Sequence, residues 1–323
     1  MFSTDRIEAA QRSVYAAMPP TPQYAWPLLR ERLGNSVWVK HENHTPLGAF
    51  KVRGGLVYLA GLVQREPACP GVIAATRGNH GQSIAFAAGR HGLPCTIVVP
   101  HGNSREKNAA MRALGAELVE HGEDFQQARE HAAVLAGERG LHFVPSYHAD
   151  LVLGVATYWI EFFRAVQPDV VFVPVGQGSG ICACIAARTY TGVATRIVGV
   201  VSTHATAYLD SFRAGRCIEA PVSTRLADGM ACRVPDAEPF EWIQREVDDI
   251  VAVSDDAVAT AMRALFSDTH NVAEGAGAAS FAAAMQQAAH WRGRTVGVTL
   301  CGGNVDRDVY ASVLAGVSGP ADR

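Results

Sequence analysis

Lys51 lies between an aromatic residue and a basic, glycine-bearing run in GAFKVRGG. Three other stretches concentrate glycine with polar side chains: ATRGNHGQS from Ala75, VGQGSG from Val175 and LCGGN from Leu300. A primary amine can act as a nucleophile, and as a base once burial lowers its pKa, which raises the question of what Lys51 does in this setting. A lone lysine in an apolar stretch more often extends its stem toward solvent, so Lys51 needs partners before it counts. Glycine loops leading from an apolar run into a helix present free backbone N–H groups that can hold a phosphate or carboxylate. VVFVPVGQGSGICACIAA has that order, which makes Gly176, Gln177, Gly178, Ser179 and Gly180 an anion-binding candidate; a tight strand-to-helix turn without a ligand reads the same way. In TRGNHGQ the hydroxyl of Thr76 and the N–H groups after Gly78 suit a carboxylate at a helix start.

These loops need a frame. The apolar runs VIAAT, CTIVVP, AELVEH, HFVPS, DVVFVPV, RIVGVVS and TVGVTL alternate with helical-period segments. Those segments are SIAFAAGRHG, REKNAAMRALG, DFQQAREHAAVLAGERG and VATYWIEFFRAV. That rhythm predicts an α/β fold with a mostly parallel sheet and helices on both faces, ligands gathering at the carboxyl ends of the strands. A length of 323 residues suggests two domains, and no low-complexity spacer divides them.

A net charge of −3 with ordinary charged content excludes a nucleic-acid footprint or a polybasic membrane patch, leaving small-molecule chemistry as the expectation. The opening MFSTDRIEAAQRSVYAAMPP lacks the basic and apolar regions of a leader, and no later run suits a spanning helix, so a cytoplasmic location is expected. Seven cysteines without paired spacing fit reduced thiols, and no structural zinc is expected. A dinucleotide fold fits poorly: the third glycine of the VGQGSG loop, Gly180, comes one residue early. The next strand ends in Val201-Ser202-Thr203 without the acid a ribose needs. A small cofactor carrying one phosphate suits the loop better.

Taken in order, GAFKVRGG, ATRGNHGQS, VGQGSG, TRLADGMAC, EGAGAAS and LCGGNVD resemble the fold-type II pyridoxal-phosphate enzymes, in the serine/threonine dehydratase and serine racemase branch. The resemblance covers nearly the whole chain. It implies a tryptophan synthase β-like fold of two parallel-sheet domains with pyridoxal 5'-phosphate between them. The large cofactor-binding domain would be residues 1–52 and 147–323, and a small mobile domain residues 53–146. Lys51 would carry the cofactor as a Schiff base and then take the Cα proton. Phe50 would pack near the ring, Asn79 would bond the ring hydroxyl, and the loop from Gly176 to Gly180 would hold the phosphate, with Ser179 a possible extra donor. Cys301 stands where many members place Ser or Thr against the pyridine nitrogen. Glu274 resembles the family's glutamate close to the cofactor, although an acid opening the helix of GAGAAS would have the same place. Thr76, Arg77, Gly78 and His80 would meet the substrate.

A neutral contact from Cys301 does not hold the ring nitrogen protonated, which favours loss of a β-substituent over transamination. The expected activity is therefore dehydration of a β-hydroxy α-amino acid, threonine- or serine-like or larger, such as phenylserine, to a 2-oxo acid and ammonia. Alternatives of the same fold are an amino-acid racemase, a β-replacement enzyme and a non-catalytic cofactor-binding module. Arg77 departs from the small residue usual in the family. The racemases keep a serine base there, so Arg77 disfavours racemisation, and it could grip a carboxylate, stack on a ring or face solvent. GVVSTHAT lacks the glutamate often found after this strand, so no metal is expected. The spacing of His41, His44 and His80 does not suit a metal or acid–base cluster. The partners expected are an amino-acid substrate and a second copy in a homodimer. The chain ends soon after LCGGNVD, which leaves no room for a regulatory domain and suggests a catabolic role.

Overall fold

The computed structural model describes residues 2–316. The ten strands are β1 (Gln23–Ala25), β2 (Ser36–His41), β3 (Val72–Ala75), β4 (Cys95–Val99), β5 (Glu117–Glu120), β6 (His142–Phe143), β7 (Val170–Pro174), β8 (Arg196–Ser202), β9 (Asp249–Val253) and β10 (Thr295–Leu300). They form two sheets, in the orders β1-β2-β10-β7-β8-β9 and β5-β4-β3-β6. Every pairing is parallel except β1 with β2. The α/β class and parallel sheets expected from the periodicity are what the chain adopts.

The chain divides into two compact units. One comprises Pro20–His44 and the chain from Ala156 onward; the other comprises Phe2–Pro19 and Thr45–Val155. Lys51 and Phe50 thus fall in the smaller unit, with the Asn79 loop, whereas the sequence reading placed residues 1–52 in the large one. The reason is packing. Val14 and Met18, in and after the N-terminal helix Thr4–Tyr15, form one apolar cluster with Val52 and Leu56 of the helix Lys51–Arg65.

In the smaller unit, β3 and β4 are buried along their whole length, as strands covered on both faces must be. The edge strand β5 instead exposes Glu117 and Glu120, charges that discourage further strand pairing. HFVPS contributes only the two residues of β6. The other sheet contains three strands that the apolar runs did not signal, β1, β2 and β9. In β2 the pattern is hidden by Lys40, whose buried ammonium donates to the Thr21 carbonyl and to Glu161 Oε2, each at 2.6 Å. The expected helices are present, and two of them start earlier: SIAFAAGRHG belongs to Asn79–Arg90, and VATYWIEFFRAV to Ala149–Ala165. No helix among the described residues is long and apolar enough to cross a membrane.

Candidate active site

In the smaller unit Lys51 is the first residue of its helix. Before it, Thr45 folds the chain into a tight turn: its hydroxyl donates to the Ala49 carbonyl and accepts from the Ala49 N–H, both at 2.9 Å. The Lys51 Nζ lies 4.7 Å from the centre of the Phe50 ring, a cation–π contact that keeps the amine at the helix start. The Lys51 helix packs closely on Asn79–Arg90. Ser83 Oγ donates to the Lys51 carbonyl at 2.6 Å, and a Cβ on Gly55 would collide with Ser83. The catalytic candidate and the TRGNHGQ loop are thereby locked to each other.

That loop uses much of its own polarity. Thr76 Oγ1 accepts from the N–H groups of Gly78 at 2.8 Å and Gly81 at 3.2 Å. Its acceptor capacity is therefore spent within the loop, and its hydroxyl proton is what a carboxylate could receive. Gly78 has φ +151°, and a Cβ there would overlap the side chain of Lys107, so the position requires glycine. Asn79 follows as the first helical residue, half-buried. His80 is buried, and its pKa is pushed down to about 3 by burial and by the charge of Lys51, against a hydrogen bond to the Pro145 carbonyl. The imidazole is neutral at physiological pH, and its Nε2 has no hydrogen-bond partner among the described residues. Arg77 Nε and Gln82 Nε2 are buried without partners as well.

In the other unit, β7 runs into Val175 and the glycine loop, and the helix Ser179–Thr191 follows. Gly178 has φ +92°, and a Cβ there would meet Pro239 and the Tyr208 hydroxyl; one on Gly176 would meet the Gly229 carbonyl. These glycines hold the backbone close around the start of a thirteen-residue helix whose first-turn N–H groups have no intrahelical acceptor. Ser179 is buried at the first helical position, and the Gly180 carbonyl accepts from Trp159 Nε1 at 3.2 Å. The cradle fits a phosphate monoester. Tyr208, which the sequence reading missed, brings against it a buried hydroxyl without a hydrogen-bond partner among the described residues. Only the fold shows that proximity, because Tyr208 lies thirty residues beyond Gly178 in the chain.

The remaining candidates of this unit are contiguous with the cradle. Gly229 of the TRLADGMAC segment touches both the Gly176 loop and Ala276. Glu274 occupies the N-cap of the helix Gly275–Gln286, yet its side chain makes no capping bond, so its role is not capping. The Glu274 N–H donates to the Gly302 carbonyl at 3.1 Å, and Cys301 Sγ donates to the Ala276 carbonyl at 3.5 Å, which joins EGAG to LCGGN. His41 and His44 form a stacked pair with ring centres 5.0 Å apart. Both are tied into one amide network. Trp26 Nε1 donates to His41 Nε2, His41 Nδ1 donates to Asn43 Oδ1, and Asn43 and His44 both meet Asn271 Oδ1. Asn43 also backs Gly303, so the network buttresses the LCGGN loop.

Comparison with known proteins identifies the family. A family model described as pyridoxal-phosphate dependent enzyme matches residues 14–302. The L-threonine ammonia-lyase of Geobacter sulfurreducens is 37% identical over 288 residues, which are 88% of this chain and 71% of that protein. The L-threo-3-hydroxyaspartate ammonia-lyase of Saccharomyces cerevisiae is 32% identical over 314 residues, 97% of this chain and 96% of the relative. Among solved structures, the processed form of threonine deaminase isoform 2 from Solanum lycopersicum superposes with a TM-score of 0.87 at 26% identity, covering 98% of this chain and 94% of that one. The span matched by the family model, the identities to the ammonia-lyases and the shared fold lead to one assignment: the chain belongs to the pyridoxal-phosphate-dependent enzymes of fold type II, in the serine/threonine dehydratase family.

Proposed function

We propose that this enzyme dehydrates and deaminates β-hydroxy α-amino acids, releasing a 2-oxo acid and ammonia. The observation that carries the reading is the locking of Lys51 to the TRGNHGQ loop through Ser83. It sets a base beside a helix start suited to a carboxylate, as abstraction of an α-proton requires. The ammonia-lyase names of relatives at 37% and 32% identity support the same reaction.

When bound, pyridoxal phosphate supplies an electrophilic carbon for the substrate amine and a ring that draws electrons from the Cα–H bond. The protein's part is positional. Lys51 Nζ, once freed from the cofactor, receives the Cα proton. The Thr76 hydroxyl and the N–H groups of Asn79 and His80 belong to the turn that would orient the α-carboxylate. The Gly176–Gly180 loop would hold the phosphate, and Asn79, Glu274 and Cys301 would serve the ring. Cys301, whose thiol donates to the Ala276 carbonyl, would be a neutral group beside the ring, where a carboxylate would favour a protonated one. Loss of the α-proton and of the β-hydroxyl as water leaves an enamine, whose hydrolysis gives the 2-oxo acid and ammonia. Arg77 weighs against a two-base racemase because a guanidinium keeps its proton at any physiological pH.

The reading extends to a cytoplasmic homodimer. All seven cysteines are free thiols, which supports a reducing compartment, and sedimentation at several concentrations tests the assembly. The reaction itself is tested by incubating the holoenzyme with serine, threonine, phenylserine and 3-hydroxyaspartate. Equal amounts of 2-oxo acid and ammonia are expected from at least one of them. Inverted amino acid without ammonia, or an adduct formed only with an added nucleophile, would replace this reading with racemase or β-replacement chemistry.

A further inference from the structure

Within six residues at the start of the Asn79 helix, three side chains carry buried nitrogen atoms without hydrogen-bond partners among the described residues: Arg77 Nε, His80 Nε2 and Gln82 Nε2. His80 and Gln82 are only 8% and 4% exposed. A buried polar atom left unpaired costs free energy, so three in one turn mark a place shaped for a ligand rather than for packing. The chemistry of the turn selects an anion. Arg77 and Gln82 offer donors, the helix start adds partial positive charge, and the buried Lys107 side chain runs alongside Gly78. His80 is neutral, contributes no charge and, with its one N–H given to the Pro145 carbonyl, presents Nε2 as an acceptor, so the permanent positive charge around this turn comes from Arg77 and Lys107.

We propose that Arg77 determines substrate specificity by taking the second carboxylate of an acidic β-hydroxy α-amino acid of the 3-hydroxyaspartate type, while the first turn of the Asn79 helix takes the α-carboxylate. This rests on the dehydratase reading above. A stacked aromatic ring would cover the guanidinium face and leave the in-plane Nε–H unpaired, whereas a carboxylate engages that edge with two parallel hydrogen bonds. Serine and threonine bring no second anion and leave the edge unsatisfied. An acidic substrate supplies what the turn lacks.

The test uses the holoenzyme and two readouts. In the first, calorimetry compares L-aspartate with L-alanine, which lack the β-hydroxyl and differ from each other by one carboxylate. Wild type is expected to bind L-aspartate ~10-fold or more tightly than L-alanine, and Arg77→Ala to abolish that preference, with Arg77→Lys retaining part of it. In the second, the ratio of kcat/KM for 3-hydroxyaspartate over serine falls ~10-fold or more in Arg77→Ala. Equal weakening of both ligands would put Arg77 on the α-carboxylate and overturn the proposal, as would an unchanged ratio. If Arg77→Ala does not retain the cofactor's absorbance, Arg77→Gln carries the same comparison. Failure of the dehydratase reading looks different: no substrate gives 2-oxo acid, while the aspartate-to-alanine binding ratio still reports on Arg77.

Discussion

Lys51 stands out by what the other lysines do. The chain has three, and Lys40 is committed to a buried ion pair with Glu161, while the Lys107 side chain is buried alongside Gly78. Lys51 opens a helix with its amine against the Phe50 ring and its carbonyl tied to Ser83. Lys51→Ala is therefore expected to lower kcat by ~10³-fold or more and to remove the borohydride-reducible link to the cofactor. Peptide mapping after reduction checks the assignment, and label recovered on Lys107 would move the covalent role there. The motif made Lys51 legible in the sequence. The state of Arg77 was not legible, because an arginine in a glycine loop reads equally as a surface cation until its Nε is found buried and unpaired.

Helix starts do much of the chemistry assigned here, and glycines let backbone or side chains close around them. At Gly178 the φ of +92° disfavours any Cβ, and an added methyl would press on Pro239. A left-handed residue costs about 1–2 kcal/mol in an L-amino acid. Gly178→Ala should therefore weaken cofactor retention by ~10-fold or more, read from the loss of cofactor absorbance on dilution. Undiminished retention would place the phosphate away from this turn. The strand–loop–helix order around Gly178 could be read directly, since such a turn is encoded within about a dozen adjacent residues. β2 and β9 were passed over: β2 breaks its apolar run with Lys40, and β9, as long as β7, carries the apolar run 250–253 directly after an aspartate.

Over the whole chain, buried histidines couple folding to pH. Burial, with the nearby charge of His44, pushes the His41 pKa down to about 4, and the imidazole accepts from Trp26 while neutral. In the unfolded chain the ordinary value near 6.5 applies. Above that pH neither state is protonated and the full contribution to stability is present. As pH falls from 6.5 toward 4 the unfolded chain takes up a proton that the folded chain refuses, so stability drops. The loss attributable to His41 is about 2 kcal/mol between pH 7 and pH 5. Urea denaturation at the two pH values measures it, and His41→Asn should flatten the dependence by a comparable amount. An identical pH slope in that variant would show that His41 is not the group responsible.

Short motifs, through their resemblance to the fold-type II pyridoxal-phosphate enzymes, were enough to indicate the reaction class: a lysine after Phe50, asparagine and histidine after Gly78, a glycine loop at Gly176 and a thiol at Cys301. Such chemistry depends on backbone N–H groups and side chains that are neighbours in the chain, so it survives in one dimension. Whether each polar atom is satisfied depends on residues far away in sequence. The fold brings Gly229 against Gly176, ties Glu274 to Gly302, sets Tyr208 beside Gly178 and turns His41 and His44 into a braced pair. It also carries Lys51 with the Asn79 loop rather than with the larger unit, because Val14 and Met18 bury their apolar surface on the Lys51 helix. Burial and hydrogen-bond completion are sums over three-dimensional neighbours, and for that reason the unpaired edge of Arg77 emerges only once the chain has folded.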